Sequence, residues 1–262
     1  MESSRNFQIF VLIFIICVFP TVSSAILDLT TAGSKGSIGD AYFYQFEADT
    51  SGTGLIDPFL QVKPANVSDW VIEGYNTDYT VRTPQYDENK VKSHPLLLSA
   101  VPSVEIGGIT YREFLLDINE NSGGTNSLLS LDELRLFVST SSDLTGFNPA
   151  TNTFSSGPST LIYSFGESDW IKLDYDTSSG SGKSDMIAHI PGFESYDEST
   201  NYVYLYCKFG AKGDGINGLE ENQGFEEWSV SMGEAFIPAP AAFVLSSIGV
   251  GFVGFLRRRR MI

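Results

Sequence analysis

The chain has 262 residues, with 16 basic and 32 acidic side chains and a formal net charge of −16 at pH 7. Between Ile26 and Phe236 the imbalance is larger, since 11 Lys and Arg stand against 31 Asp and Glu. This balance argues against nucleic-acid binding by phosphate neutralisation. An acidic surface suits divalent cations or cationic partners, or simply keeps an exported protein soluble.

The first 25 residues are predicted to be a cleavable signal peptide. Arg5 is followed by an uncharged run from Phe7 to Phe19, then by Pro20 and the small residues Ser23-Ser24-Ala25 that signal peptidase requires. A run of about 13 residues is about 20 Å long as a helix, too short for a ~30 Å hydrocarbon core. We therefore expect export by the Sec machinery and cleavage by signal peptidase after Ala25 or a neighbouring residue. The alternative is a buried N-terminal helix or a retained membrane anchor.

The middle of the chain alternates apolar and polar residues with the period of β-strands. In Tyr202–Phe209 the tyrosines share one face, while Val203, Leu205 and Cys207 share the other. Cys207 is therefore expected to be a buried, unpaired core residue and not a nucleophile, because the second cysteine, Cys17, leaves with the signal. The predicted strands are Ala41–Glu47, Leu55–Val62, Thr110–Ile118, Leu131–Ser139, Ser159–Phe165, Asp169–Asp174, Asp185–Ile190, Tyr202–Phe209 and Phe225–Met232.

The pattern predicts an all-β fold, an antiparallel β-sandwich for which a jelly roll is one arrangement. No window of a dozen residues has a convincing 3.6-residue period. The predicted organisation is a signal helix at residues 1–25, an extracytoplasmic β-sandwich domain at 26–236, and a C-terminal transmembrane segment within 237–262.

Catalytic motifs are scarce, and we predict a non-enzymatic protein with no catalytic residues. The two histidines, His94 and His189, are expected to be structural. The sequence has no Gly-x-Ser-x-Gly, no His-Glu-x-x-His and no paired cysteines for zinc. Glu226 and Glu227 are neighbours in a predicted strand, so they point to opposite faces and do not form the carboxylate pair of a glycosidase.

One segment offers oxygen ligands that suit calcium. Asp117, Asn119 and Asn121 alternate at the end of a predicted strand, and Asp132 could add a carboxylate. The EF-hand pattern is not met, because Ser122 and Leu128 stand where Gly and an acid are needed. The plainer interpretation is that Asn and Asp form turns and that the protein has no cofactor. The same two interpretations apply to Asp214–Glu220.

The C-terminal segment has three parts in order. A Pro-x-Pro entry, Pro238-Ala239-Pro240, leads into residues 241–256, which carry no charge. Residues 237–256 number 20 and are about 30 Å long as a helix, enough to span a bilayer. The positive-inside rule predicts that the cluster that follows stays cytoplasmic. That cluster is Arg257, Arg258, Arg259 and Arg260.

These three parts resemble the PEP-CTERM sorting signal of Gram-negative, biofilm-forming bacteria, although Ala239 stands where the type signal has Glu. Gly224–Trp228 and Tyr202–Gly210 are similar to segments of uncharacterised proteins that carry such tails. The resemblance implies a precursor anchored in the inner membrane, processing by an exosortase, and delivery to the cell surface or extracellular matrix.

Three functions stay open for the domain at 26–236. The first is a non-enzymatic surface or matrix protein. The second is a carbohydrate-binding module associated with exopolysaccharide, with Trp70, Trp170 and Trp228 as candidate contacts. The third is a glycoside hydrolase. An exposed planar row of aromatic residues would favour binding, and two carboxylates converging in a cleft would favour hydrolysis.

Overall fold

A computed structural model describes residues 26–45, 56–66, 69–166, 168–177, 184–213, 218–222 and 224–232. These residues form an all-β fold, as predicted, with short 3₁₀ turns at Leu98–Ala100, Gly124–Ser127 and Tyr175–Thr177. The strands are β1 (Ile26–Asp28), β2 (Lys35–Ile38), β3 (Ala41–Gln45), β4 (Ile56–Val62), β5 (Ile72–Tyr75), β6 (Leu96–Leu97), β7 (Ser103–Ile106), β8 (Ile109–Asp117), β9 (Leu128–Ser139), β10 (Phe147–Asn148), β11 (Thr153–Phe154), β12 (Thr160–Phe165), β13 (Trp170–Asp174), β14 (Met186–Pro191), β15 (Tyr202–Phe209) and β16 (Glu226–Ser231).

The strands are arranged in two seven-stranded sheets and one small hairpin. The first sheet has the order β1-β13-β9-β15-β5, with β12 also on β9 and β6 on β15. The second has the order β2-β3-β14-β8-β16-β4, with β7 also on β8. Every pair of these strands is antiparallel except β1 and β13, which run parallel. Strands β10 and β11 pair with each other.

Four of the strand pairs nest inside one another along the chain. β4 pairs with β16, β5 with β15, β8 with β14, and β9 with β13. Successive pairs belong alternately to the second and the first sheet. The topology is therefore that of one long antiparallel hairpin, with its turn between β9 and β13, whose successive strand pairs alternate between two sheets.

The two sheets share one hydrophobic core. Phe43, Phe114 and Trp228 from the second sheet lie in the same buried cluster as Leu134 and Leu205 from the first. Burying a side chain of this size contributes roughly 1.5–3 kcal/mol. Strand alternation thus places one face of each sheet inward, as the periodicity predicts.

The alternation in β15 is confirmed. Val203, Leu205 and Cys207 face the shared core, and Cys207 is fully buried and not in a disulfide. Tyr204 and Tyr206 face the other way, into a second cluster with Phe147 and Phe154 of the β10–β11 hairpin. The hairpin therefore covers the outer face of the first sheet.

Candidate metal centre

Acidic residues gather at one end of the second sheet, where three segments meet. Strand β8 ends there at Asp117, β14 begins there after Asp185, and β16 begins there with Glu226. The Ile118 amide donates to Asp185 Oδ2 at 2.8 Å, and Asn119 Nδ2 donates to the Phe225 carbonyl at 3.1 Å. Because β8 pairs antiparallel with both β14 and β16, the end of β8 and the beginnings of β14 and β16 lie at the same end of the sheet.

The loop after β8 and the loop before β16 are in close contact. The Asn121 amide and side-chain Nδ2 donate to Asn222 Oδ1 at 3.2 and 2.8 Å, and Nδ2 also donates to the Asn222 carbonyl at 2.9 Å. Gly224 lies so near the first loop that an added Cβ would be 1.7 Å from the Asn119 carbonyl oxygen. A residue without a side chain is therefore required there.

Three carboxylates converge between these loops, and we call Glu120, Glu221 and Glu226 the acidic trio. One oxygen from each lies within 4.8 Å of the other two. All three residues are buried, with exposed fractions of 5%, 1% and 0% respectively. The trio therefore joins a residue of the β8 loop to two residues of the β15–β16 segment.

Few backbone donors serve the carboxylates of Glu120 and Glu226. The Asn222 amide donates to Glu120 Oε2 at 3.2 Å, and the Asn119 amide donates to Glu226 Oε2 at 3.3 Å. The Oε1 atoms of Glu120 and Glu226 are both buried, and neither receives a hydrogen bond from the described residues. A buried carboxylate oxygen without a donor costs free energy unless a proton or a cation compensates it.

Burial dominates the electrostatics of the trio. It raises the pKa of Glu120 to about 10, and the charges of Glu221 and Glu220 add to the effect. Burial also raises the pKa of Glu226 well above its usual range, followed by the charges of Glu221, Glu120 and Asp117. Three carboxylates this close do not all ionise alone, so the site must hold protons or a cation.

A further buried acid lies beside the trio. Burial raises the pKa of Asp185 well above its usual range, and the charges of Asp117 and Asp174 act in the same direction. Asp185 Oδ1 is buried and receives no hydrogen bond from the described residues. The group of buried acids at this end of the sheet thus extends beyond the trio itself.

Three of the residues predicted as calcium ligands, Asp117, Asn119 and Asn121, lie in or beside the loop that carries Glu120, whereas Asp132 lies on the other sheet. Asp117 ends β8, and the amide groups of Asn119 and Asn121 hold the two loops together. Asp132 lies on β9, where its Oδ2 accepts the Ala211 amide at 2.6 Å. Glu120 stands between the two asparagines and was not among the predicted residues, because the prediction followed alternate positions. Glu221 comes from a loop distant in sequence, and no local pattern marks it.

The remaining candidate groups have local partners. Glu226 is fully buried, whereas Glu227 is half-buried and accepts Gln61 Nε2 at 3.1 Å, so the two glutamates do not share a site. The His94 ring nitrogens lie 2.8 Å from the Pro95 carbonyl and 2.9 Å from the Pro58 carbonyl. Buried His189 places Nε2 3.0 Å from Glu113 Oε2.

Aromatic side chains form a patch on the outer face of the second sheet. The ring centroid of Tyr42 lies 6.4 Å from that of Tyr44 and 5.5 Å from that of Tyr111. Tyr42 and Tyr44 line a surface pocket of about 280 Å³ together with residues 35–37 of β2. The three tryptophans do not make an exposed row, because Trp228 is in the core while Trp70 is exposed.

Several sequence predictions fall on residues outside the described ranges. These are the signal at 1–25, the sorting motif from Pro238 to Arg260, and residues 214–217 of the second calcium candidate. Within the described ranges, no helix is long and apolar enough to cross a membrane. Comparison with known proteins finds no matching family model, no matching curated protein and no matching solved structure.

Proposed function

We propose that this chain is a non-enzymatic surface or matrix protein, exported through the Sec machinery of a Gram-negative bacterium. An inner-membrane precursor is held by residues 237–262 and processed by an exosortase. The observation that carries the proposal is the order of parts in the tail, a Pro-x-Pro entry, an uncharged span and four arginines. Arginine at the bilayer centre costs roughly 2.5–3.5 kcal/mol on insertion scales, so four together stop transfer.

The described strands all lie between the two proposed cleavage sites. Strand β1 begins at Ile26, directly after the predicted signal cleavage site, and β16 ends at Ser231, before the tail. Cleavage after Ala25 and near Pro238–Pro240 would therefore leave all the described strands in one product. Pro238 and Pro240 lack amide protons, and proline favours an extended chain before it, which would suit access by a membrane protease.

The released product would be a β-sandwich of the jelly-roll type. The nested pairs β4–β16, β5–β15, β8–β14 and β9–β13, which alternate between two sheets, support this arrangement. Closing the chain on itself in this way makes a stable module without a disulfide.

Carbohydrate binding is the second candidate, and the tyrosine patch favours it. Tyr42 is 37% exposed and shares a surface pocket with Tyr44. Aromatic faces of this kind present apolar area with a polar tip. Replacing both tyrosines by Ala should abolish retention on the organism's exopolysaccharide, while Tyr202→Ala on the first sheet should not. Equal retention of all three proteins would remove this candidate.

Hydrolysis has less support. The converging carboxylates are those of the acidic trio, and with at most 5% exposure they are closed to a sugar chain. A glycosidase needs its two carboxyl groups on either side of an accessible glycosidic bond.

The sorting proposal is tested by expressing the full chain with and without the exosortase and following an epitope inserted before Phe236. We expect the epitope to leave the inner membrane only when the exosortase is present, and the released protein to begin at Ile26. Replacing Pro238 and Pro240 should block release. If the full-length form stays in the inner membrane in both strains, the tail is only an anchor.

A further inference from the structure

We propose that the carboxylates of Glu120, Glu221 and Glu226 bind one Ca²⁺ ion, which ties the loop after β8 to the segment between β15 and β16. The proposal goes beyond export and sorting and does not depend on them. It differs from the ligand set predicted from the sequence, because only the folded chain brings these three glutamates together.

The spacing of the oxygens fits calcium. Ca²⁺ binds oxygen ligands at 2.3–2.6 Å, so two oxygens on one ion can be at most about 4.6–5.2 Å apart. The three carboxylate oxygens all lie within 4.8 Å of one another, so each pair of them falls within or near this limit. Mg²⁺ demands near-ideal octahedral geometry and usually keeps several waters, so a site made of three protein carboxylates favours Ca²⁺. Carboxylates alone, without His or Cys, also do not favour zinc.

The second observation is that buried carboxylate oxygens in the site lack hydrogen-bond donors. Glu226 is fully buried and Glu120 nearly so, yet the Oε1 atom of each receives no hydrogen bond from the described residues. The charges that act most strongly on Glu226 are those of other acids, namely Glu221, Glu120 and Asp117. A divalent cation would supply the positive charge and the oxygen contacts at once.

The position of the site explains what the ion would do. Glu120 belongs to the loop after β8, Glu221 belongs to the segment between β15 and β16, and Glu226 is the first residue of β16. The ion would therefore connect both loops at the end of the second sheet. Protein Ca²⁺ sites of the weaker class bind with Kd of about 0.1–1 mM, and the titration below covers this range.

The first experiment measures thermal unfolding of the full-length chain, purified in mild detergent, in EDTA and then in increasing CaCl₂. We expect Tm to rise by about 5–10 °C when Ca²⁺ exceeds its Kd 100-fold. Glu226→Gln and Glu120→Gln should each remove most of this rise. Either variant is sufficient if the other fails to fold. Glu227→Gln, one residue along β16 on the opposite face, is the matched control and should keep the full rise.

The second experiment detects ion binding by luminescence and does not depend on thermal stability. Tb³⁺ replaces Ca²⁺ at oxygen sites, and Trp228 lies two residues from Glu226 on β16, about 6.7 Å along the strand. Excitation of tryptophan should therefore give Tb³⁺ luminescence that Ca²⁺ displaces and that Glu226→Gln reduces at least tenfold.

An unchanged Tm between EDTA and Ca²⁺, together with no displaceable Tb³⁺ signal, would overturn the proposal. So would an equal loss of the calcium response in Glu227→Gln, which would place the ion elsewhere. A rise in Tm with Mg²⁺ and not with Ca²⁺ would refute the assignment of the ion.

Discussion

The contact of Gly224 with the loop after β8 makes Gly224→Ala a sharp test of how the acidic end is packed. The new Cβ would be 1.7 Å from the Asn119 carbonyl oxygen, whereas ordinary contact begins near 3.4 Å. The two loops must therefore separate by about 1.7 Å, because the obstacle is backbone and cannot rotate away.

The cost follows from what that separation breaks. Overpacking by one methyl group costs about 1–3 kcal/mol. The same movement stretches the bond from Asn119 Nδ2 to the Phe225 carbonyl, now 3.1 Å, and the bond from the Asn119 amide to Glu226, now 3.3 Å. Each contributes about 1 kcal/mol or more. We expect a total loss of about 3–5 kcal/mol.

Thermal unfolding of the full-length chain, followed by circular dichroism, measures this loss. At about 2–4 °C per kcal/mol for a domain of this size, Tm should fall by at least about 6 °C. Gly166→Ala is the control, since its added Cβ would meet the Glu133 side chain at 3.1 Å and the Asp132 carbonyl oxygen at an ordinary 3.7 Å. A flexible side chain can move by a few tenths of an ångström, and Gly→Ala at a compatible site shifts stability by only about 0.4–1 kcal/mol, so Gly166→Ala should stay close to wild type. If Gly224→Ala is as stable as Gly166→Ala, the close approach of the two loops is wrong.

Three buried groups outside the trio have testable effects of their own. Glu88→Gln should lower Tm by about 4–8 °C, because Glu88 accepts the backbone amides of residues 75, 85 and 86, and exposed Glu105→Gln should not. Burial raises the pKa of Asp132 to about 6, whereas in the unfolded chain it is near 4. The free energy of unfolding should therefore fall by roughly 3 kcal/mol as pH rises from about 4 to about 6. The difference between wild type and Asp132→Asn in denaturant midpoint should follow that window, and a pH-independent difference would contradict it. Burial raises the pKa of the Cys207 thiol, so a Cys17→Ser chain should resist thiol reagents until it unfolds, and prompt labelling of the folded protein would contradict this burial.

Strand positions could be predicted where alternation runs over five residues or more. The prediction Thr110–Ile118 became Ile109–Asp117, and Asp185–Ile190 became Met186–Pro191. Shorter strands such as β6 and β10 have two residues each, too few for a period to be visible. Local pattern does not contain the nesting of pairs either, because it depends on contacts between distant parts of the chain.

The sequence predicted the loop beside the acidic trio but not the three glutamates themselves. The run of Asp117, Asn119 and Asn121 indicates a polar turn with oxygen ligands, and the structure does place the acidic trio beside it. The pattern cannot tell which side chains turn inward. The Glu120 side chain does so. Its partner Glu221 follows β15, so strands β9 to β15 separate the two residues in sequence, and no spacing pattern links them.

Glu88 shows how this fold treats a buried carboxylate that has a structural role. Its Oε1 accepts the Tyr75 amide at 3.2 Å, and its Oε2 accepts the Gln85 and Tyr86 amides at 3.1 and 2.8 Å. Glu226 is buried more deeply, yet one backbone amide serves its Oε2 and none of the described residues donates to its Oε1. Since the same chain satisfies one buried glutamate with three amides, the single amide donor at Glu226 favours the calcium proposal. Glu88→Gln should therefore lower stability equally in EDTA and in Ca²⁺, while Glu226→Gln should lower it only where Ca²⁺ is present.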